Sequence, residues 1–237
     1  MPVASAPTTA RARARAEITE EIKQEARRQL AEEGTDLSLR AVARALGMAS
    51  SAVYRYFASR DELLTALIIE TYDTVGEAAE QAAAAAGPTV GDRWLALATA
   101  IRSWAFAHPH DYSLVYGSPV PGYRAPEATI APAERVSLVA LRIVSDGVAS
   151  GEITRAAELD MPSAVRDDLT RINVLAELDL PPDVLARGLI VWTHLFGTIS
   201  FELFGHLHNV IHDYDAFFES QTERAIRFLV SGDGHDR

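Results

Sequence analysis

Apolar residues recur at every third or fourth position along almost the whole chain, and this spacing is the strongest constraint on its fold. The first such stripe is formed by Ile18, Ile22, Ala26 and Leu30. A repeat of this kind lines one face of an α-helix, and no convincing apolar–polar alternation indicates a strand anywhere. We therefore predict an all-α fold.

Glycine, proline and N-cap residues divide the helical pattern into segments. A first helix is predicted to stop at Gly34, and Ser59 with Glu62 forms a predicted capping box ahead of a long helix. The predicted later helices are Ser38–Leu46, Ser50–Phe57, Asp61–Ala86, Val90–Ala107, Asp111–Tyr116, Ala133–Ser150, Pro162–Leu178, Pro182–Leu207 and Tyr214–Val230. The Gly/Pro-rich stretch 117–132 is predicted to be a loop.

Composition narrows the class of protein. The chain has 237 residues, 48% of them hydrophobic, which is enough apolar material for a buried core. It contains no cysteine, which excludes disulfides, thiolate zinc sites and thiol nucleophiles. No transmembrane span is predicted, because the most apolar stretch, Gly188–Phe201, is too short for a bilayer core. We expect a cytoplasmic protein.

Charge is distributed unevenly along the chain. Residues 1–60 hold ten Lys/Arg and seven Asp/Glu, a balance of +3, and residues 61–237 hold twelve and twenty-six, a balance of −14, which together give −11. Because phosphates are repelled by the acidic part, any polyanion binding is predicted for the N-terminal quarter. Arg11, Arg13 and Arg15 alternate with alanine, which is consistent either with an arm that touches DNA or with a disordered tail.

Two short predicted helices, joined by a tight turn at Gly47, follow the first helix in the order of a helix-turn-helix motif. Small residues are needed where the two helices cross, and Ala43, Ala45 and Ala49 supply them. The second helix exposes Ser50, Ser51 and Ala52 at its start, where such a helix enters the major groove.

Residues 15–70 resemble the DNA-binding domain of TetR-type transcriptional regulators. The resemblance lies in the segments Leu39–Ala49 and Val53–Leu64, whose order and spacing agree with the family. Tyr56 stands where the family usually has His, and Arg60 stands where it usually has Lys. The resemblance implies phosphate contacts by Tyr54, Tyr56 and Arg60, and a guanine contact by Arg40. With the groove-facing Ser50, Ser51, Ala52 and Arg55, these residues form the predicted DNA-binding set.

In this family, an acidic helical block after such a motif binds an effector and dimerises. The segments Leu114–Tyr123 and Trp192–Gly197 resemble a subgroup with a Trp-x-x-x-His-Gly signature, although Phe196 occupies its His position. Ligand pockets combine aromatic walls with a few polar groups. The predicted pocket residues are Trp94, Trp104, His108, Tyr112, Tyr116, Trp192, His194, Phe196, Phe201 and Glu202. A small, largely apolar effector is expected, although filling of the core explains the same aromatics.

The predicted helix Pro182–Leu207 is apolar nearly all round, so it must be covered on every face. Core on one side and a partner subunit on the other would cover it, and the helix Tyr214–Val230 has a matching apolar stripe. A homodimer through these last two helices is predicted. The predicted domains are a flexible basic arm (1–14), a three-helix helix-turn-helix bundle (15–62) and a larger helical ligand-binding and dimerisation domain (63–237).

Three functions compete with that of a ligand-responsive regulator of double-stranded DNA. His206, His208 and His212 could form a metal site, but histidines at a helix end more often compensate its dipole. No nucleophile motif, phosphate loop or carboxylate pair indicates an enzyme, so no catalytic residue, metal or cofactor is predicted. A DNA-binding or architectural protein without an effector remains open.

Overall fold

The computed structural model describes residues 9–33, 37–155 and 161–231. Within these ranges the chain forms ten α-helices, one 3₁₀ turn at Glu127–Thr129 and no strand, so the predicted all-α fold is confirmed. The helices are α1 (Ala10–Glu33), α2 (Leu39–Ala45), α3 (Ser50–Val53), α4 (Arg60–Ala85), α5 (Val90–Ala107), α6 (Pro109–Tyr116), α7 (Ile130–Ser150), α8 (Ser163–Leu175), α9 (Pro182–Leu203) and α10 (Tyr214–Ser231).

Several helices end earlier than their apolar pattern predicts, and left-handed residues explain two of these ends. α9 stops at Leu203 rather than Leu207, because Gly205 has φ +76° and turns the chain out of the helix. α8 stops at Leu175 rather than Leu178, before Glu177 with φ +54°. α3 is α-helical only over Ser50–Val53 and continues as a turn to Tyr56.

α1 begins at Ala10, which differs from the flexible arm predicted for residues 1–14. The hydroxyl of Thr9 accepts a hydrogen bond from the backbone N–H of Ala12 at 3.2 Å and caps the helix. The alternating alanines and arginines that follow are among the strongest helix formers, so they extend the helix instead of interrupting it. Residues 1–8 of the predicted arm lie outside the described residues.

The first of two compact units contains the described residues up to Tyr72 together with His110–Ile130. Its core is formed by Ile22, Ala26, Leu37, Leu39, Val42, Ala43, Val53, Phe57, Leu63, Leu64, Leu67 and Val120. Val120 follows α6, and the hydroxyl of Tyr123 lies 2.9 Å from that of Thr65 in α4. The first unit is therefore larger than the span 15–62 predicted for the helix-turn-helix bundle, because this later segment fills its core.

The second unit contains Asp73–Pro109 and the described residues from Ala131 onward. α5, α9 and α10 pack on one another, and α8 packs on α9. Arg187 of α9 is buried and donates hydrogen bonds to the carbonyls of Leu229 at 2.7 Å and Thr154 at 2.5 Å. Arg102 of α5 holds the carboxylate of Glu202 with two hydrogen bonds, at 2.9 and 2.5 Å. These arginines fix α9 between its neighbours.

The turn between α2 and α3 depends on Gly47. Its φ is +65°, and the backbone N–H groups of Gly47 and Met48 bond to the carbonyls of Arg44 and Ala43 at 3.1 and 2.8 Å. This is the hydrogen-bond pattern of a Schellman motif, in which the left-handed residue is usually glycine. The conformation, not lack of space, requires glycine here, since an added Cβ would meet nothing within 4 Å.

We expect Gly47→Ala to lower the free energy of unfolding by about 1 kcal/mol, because alanine is strained in the left-handed region. Denaturant unfolding followed by circular dichroism measures this change. Gly91→Ala in α5 is the control: an added Cβ meets only ordinary contacts there, and its φ is not positive. Equal effects of the two substitutions would contradict the role given to the turn.

Candidate functional site

α2, the Gly47 turn and α3 present a polar surface on one side of the first unit. Ser50, Ser51 and Arg55 are exposed, and Tyr54 is 46% exposed. Ala52 is half-buried, while Arg40 is exposed on α2. Val53 and Phe57 are buried in the core and set which face of α3 points outward. The predicted groove-facing residues therefore share one accessible surface, apart from the partly covered Ala52.

The start of α4 is fixed by hydrogen bonds next to α3. The hydroxyl of Ser59 accepts from the N–H of Glu62 at 3.1 Å, and the Glu62 carboxylate accepts from the N–H of Ala58 at 2.6 Å. The predicted capping box is present with its return bond shifted by one residue. It holds Arg60, a predicted phosphate contact, in the first turn of α4, half-buried and 3.5 Å from Asp61.

Tyr56 differs from the other predicted contacts because it is already engaged within the unit. It is half-buried against the core, and the guanidinium of Arg15 lies over its ring, 4.9 Å from the ring centre. Arg15 also donates a hydrogen bond to the carbonyl of Arg55 at 3.1 Å. Arg15 is not in the predicted DNA-binding set, although its alternation with alanine is consistent with an arm that touches DNA.

Cations in the first unit fall into two groups. Lys23 and Arg27 contact Glu70 at 3.0 and 2.9 Å, and Arg27 also contacts Asp111 at 3.1 Å. Burial alone would raise the pKa of Glu70, but its hydrogen bonds from Arg27 and Lys23 outweigh burial and lower that pKa. In contrast, no acidic side chain among the described residues pairs with any of Arg11, Arg13, Arg15, Arg40, Arg44 and Arg55. These cations lie at the start of α1, on α2 and in the turn that follows α3, and the exposed Arg124 after α6 likewise has no acidic partner among the described residues.

The second unit contains an apolar cavity of about 210 Å³ between α5, α7, α8 and α9. It is lined by Trp94, Ser137, Ala140, Leu141, Val144, Ile172, Leu185, Gly188, Leu189 and Trp192. Ser137 supplies the only hydroxyl of this lining, and that hydroxyl donates to the carbonyl of Glu134 at 2.9 Å. A smaller cavity of about 10 Å³ is bordered by Trp94 and His194, among others.

The cavity brings together only Trp94 and Trp192 of the predicted pocket residues. Phe196 lies with its ring 4.7 Å from that of Trp192, and Phe201 is 55% exposed. Trp104 is buried, stacks on His108 at 5.4 Å, and its indole N–H has no acceptor within the described residues. The aliphatic side chains that form most of the wall were missed, because sequence periodicity does not distinguish them from core.

Tyr112 and Tyr116 of α6 belong to the first unit instead. Tyr112 is fully buried, and Tyr116 packs edge-on against Tyr72 of α4 at 6.1 Å. Burial, together with the neighbouring tyrosines, raises the pKa of Tyr116 above its ordinary value. Glu202, predicted as a polar pocket contact, holds Arg102 as described above. These residues stabilise helix packing in this structure.

α9 has a core face and an exposed apolar face. Leu185, Val191, Leu195 and Ile199 are buried, whereas Leu189, Ile190, Phe201 and Phe204 are 39–55% exposed. By length and composition α9 could cross a membrane, and it is the one such helix among the described residues, with 33% of its apolar window buried.

The described residues contain no group of three His, Asp or Glu side chains suited to holding a metal ion.

Comparison with protein families matches both parts of the chain. Residues 22–67 match the family model for bacterial regulatory proteins of the tetR family. Residues 94–225 match the model for a tetracyclin repressor-like C-terminal domain. The two matches contain the helix-turn-helix surface and the apolar cavity respectively.

Relatives and solved structures extend the match over nearly the full length. The HTH-type transcriptional regulators Mb1846 of Mycobacterium bovis and Rv1816 of Mycobacterium tuberculosis are 38% identical over 226 residues, covering 92% of this chain and 94% of theirs. The crystal structure of the regulatory protein SCO4313 is 35% identical, with TM-score 0.75, covering 92% of this chain and 98% of that one. A tetR-family protein from Rhodococcus RHA1 shares the fold at 19% identity and TM-score 0.62, covering 90% and 96%.

These relatives are regulators of transcription and not enzymes. An exposed helix-turn-helix with unpaired arginines, an all-helical second unit and full-length similarity to such regulators agree with one another. The chain belongs to the TetR family of DNA-binding transcriptional regulators.

Proposed function

We propose that this regulator is a homodimeric repressor that binds a palindromic operator and leaves it when a small apolar ligand occupies the second unit. The observation that carries the proposal is the apolar cavity of about 210 Å³ in a chain that also has an exposed helix-turn-helix surface. The alternative, a DNA-binding regulator without an effector, gives no role to such a cavity. Because its target is chromosomal DNA, we place the protein in the cytoplasm.

The proposed DNA contacts divide into two classes. Arg40, Ser50, Ser51, Ala52 and Arg55 face the major groove, and an arginine there can bond to O6 and N7 of guanine. Tyr54, Tyr56 and Arg60 contact phosphates, which position the protein but carry no sequence information. The two classes differ in how affinity responds to sequence and to salt.

We expect Arg40→Ala to cost about 1–3 kcal/mol on the cognate site and little on random DNA, because it removes a base contact. Arg60→Ala should weaken binding to both, and should lower the slope of log K against log salt by about 0.9. Fluorescence anisotropy with both duplexes at several salt concentrations measures these effects. Arg166→Ala, an exposed arginine of α8, is the control. Equal losses for Arg40→Ala on both duplexes would assign it to the phosphate class.

The dimer is proposed to form through α9 and α10. Leu189, Ile190, Phe201 and Phe204 fall within about 120° of the α9 surface at 100° per residue, with Gly197 among them. A small residue there lets a partner helix approach closely. α10 has a parallel stripe of half-buried side chains, formed by Tyr214, Phe217, Gln221, Ala225 and Phe228. Since α9 already packs on its own unit through its opposite face, a second subunit fits this stripe better than a membrane does.

Ile190→Glu is expected to convert the dimer to a monomer, because it would bury a charge in the interface. Sedimentation at micromolar concentration measures the mass. Val174→Glu is a matched control, since Val174 is 72% exposed on α8, outside the proposed interface. Selection from random duplexes should give the wild type a palindrome with half-sites about one helical turn apart, and should give Ile190→Glu no symmetric site. A wild-type monomer binding one asymmetric site would overturn the proposal.

The cavity's chemistry indicates the class of ligand. A cavity of roughly 150 Å³ lined by aliphatic and aromatic side chains holds benzene, so about 210 Å³ suits a ligand of one or two small rings. A charged group would lose its hydration against a wall with one hydroxyl. Uncharged ligands are therefore favoured over carboxylates of the same size.

Indole and indole-3-acetate test this preference as a matched pair. By calorimetry we expect indole to bind and the carboxylate to bind at least about tenfold more weakly, because the wall offers it no counter-charge. Gly188 lines the cavity, and an added Cβ would meet only Val144 at 3.8 Å. Affinity should therefore fall in the order Gly188, Gly188→Ala, Gly188→Val, while DNA binding is unchanged. Equal affinities across this series would remove the cavity as the ligand site.

Regulation is proposed to act through α4 and α6. α4 contributes residues up to Tyr72 to the DNA-binding unit and the rest to the second unit, and α6 lies almost entirely in the first. The contact of Arg27 with Glu70 and Asp111 ties α1 to both helices. A ligand that shifts either helix would therefore disturb the spacing of the two α3 helices in a dimer. Linkage requires operator DNA to weaken ligand binding by the same factor.

A further inference from the structure

The first two turns of α1 extend beyond the core of the DNA-binding unit. Every described side chain from Thr9 to Glu17 is exposed, and the first buried residue of the helix is Ile22. We call Ala10–Glu17 the α1 overhang. At 1.5 Å per residue it is about 12 Å long. No apolar burial stabilises it, so its contacts are electrostatic.

The overhang has two different faces. At 100° per residue, Arg11 and Arg15 lie within about 40° of each other and continue the stripe of Ile18 and Ile22 that faces the rest of the unit. Arg13 lies about 160° from Arg15, on the opposite face. The contacts agree with this geometry, because Arg15 bonds to the Arg55 carbonyl and lies over the Tyr56 ring. The Arg11–Arg15 face is therefore on the side of the residues that follow α3.

The charge of the overhang is unfavourable for the unbound helix. Three arginines lie near the positive end of the helix dipole, and the first turn contains no acidic residue. No acidic side chain among the described residues pairs with them, whereas Lys23, Arg27 and Arg28 later in α1 are all paired. Positive side chains at the positive end of a helix, with no acidic partner to compensate them in the free protein, are typical of a functional surface.

We propose that the α1 overhang is an additional DNA-backbone contact, in which Arg11 binds a phosphate beside the groove that α3 occupies. Arg15 is a positioning residue that anchors the overhang to the Arg55–Tyr56 segment. DNA is the partner because this anchor joins the overhang to two residues of the proposed DNA-binding set. The inference rests on the proposed DNA contacts of α3 and adds a contact that the helix-turn-helix motif does not contain.

The test compares Arg11→Ala with Arg13→Ala, which removes the same charge two residues away from the opposite face. Binding to a mixed-sequence duplex of about 30 base pairs is measured by anisotropy at several salt concentrations. Arg11→Ala should weaken binding about fivefold near physiological salt and lower the slope of log K against log salt by about 0.9. Arg13→Ala should leave both quantities within error. Arg11→Lys should restore them, since a phosphate accepts either cation.

Thermal unfolding serves as the structural check: both arginines are exposed and unfavourably placed near the start of the helix, so neither variant should lower the melting temperature. Equal losses for Arg11→Ala and Arg13→Ala, or no loss for either, would overturn the inference and leave the α3 contacts standing. Failure of Arg11→Lys to restore binding would also overturn it, since a contact other than phosphate would then be involved. A wild-type chain that binds no duplex would overturn the proposed function as well.

Discussion

The burial of Val53 and Phe57 is the constraint on which the DNA-binding surface depends. α3 has four residues, far fewer than an isolated helix needs in water, so it persists only because tertiary packing holds it. Val53 enters the core formed by α1, α2 and α4, and the positive φ of Gly47 sets the direction of entry. Ser50, Ser51 and Arg55 are consequently exposed together, although no hydrogen bond or ion pair of their own side chains within the described residues orders them.

The same core links the surface that carries α3 to a segment that comes much later in the chain. Val120 completes the core, and Tyr123 bonds to Thr65, although both follow α3 by more than sixty residues. Arg27 joins Glu70 of α4 to Asp111 of α6 through one guanidinium. A shift of α6 would therefore break an ion pair and loosen a core contact in the unit that carries α3.

The spacing of apolar residues predicted the helices well. The core position of Val120 and the cavity wall were missed, because both depend on packing between residues that are far apart in sequence. α5 was predicted at its observed bounds, and the structure shows that Thr89 caps its start through a capping box with Asp92 and that His108 caps its end. Val120 could not be assigned to the DNA-binding core, because nothing near it in sequence indicates packing against residues more than fifty positions earlier. Trp94 and Trp192 were identified as pocket residues by their aromatic character. The aliphatic side chains of the cavity wall were not identified, because a cavity results from how side chains pack and cannot be recognised from the order of residues in the sequence.

The distribution of ion pairs explains how a chain with a net charge of −11 can bind DNA. Screening limits charge interactions to about 8–10 Å in physiological salt, so the local balance at the surface matters more than the total. Within α1 itself, the later cations are neutralised by Glu25, Glu32, Glu70 and Asp111, and the early ones are not. Within the first unit, the arginines without an acidic partner are thereby concentrated at the start of α1 and between α2 and the turn after α3, with Arg124 as the exception among the described residues. Because the second unit is acidic, it repels the phosphates of a duplex, whereas this surface of the first unit attracts them before any base is contacted.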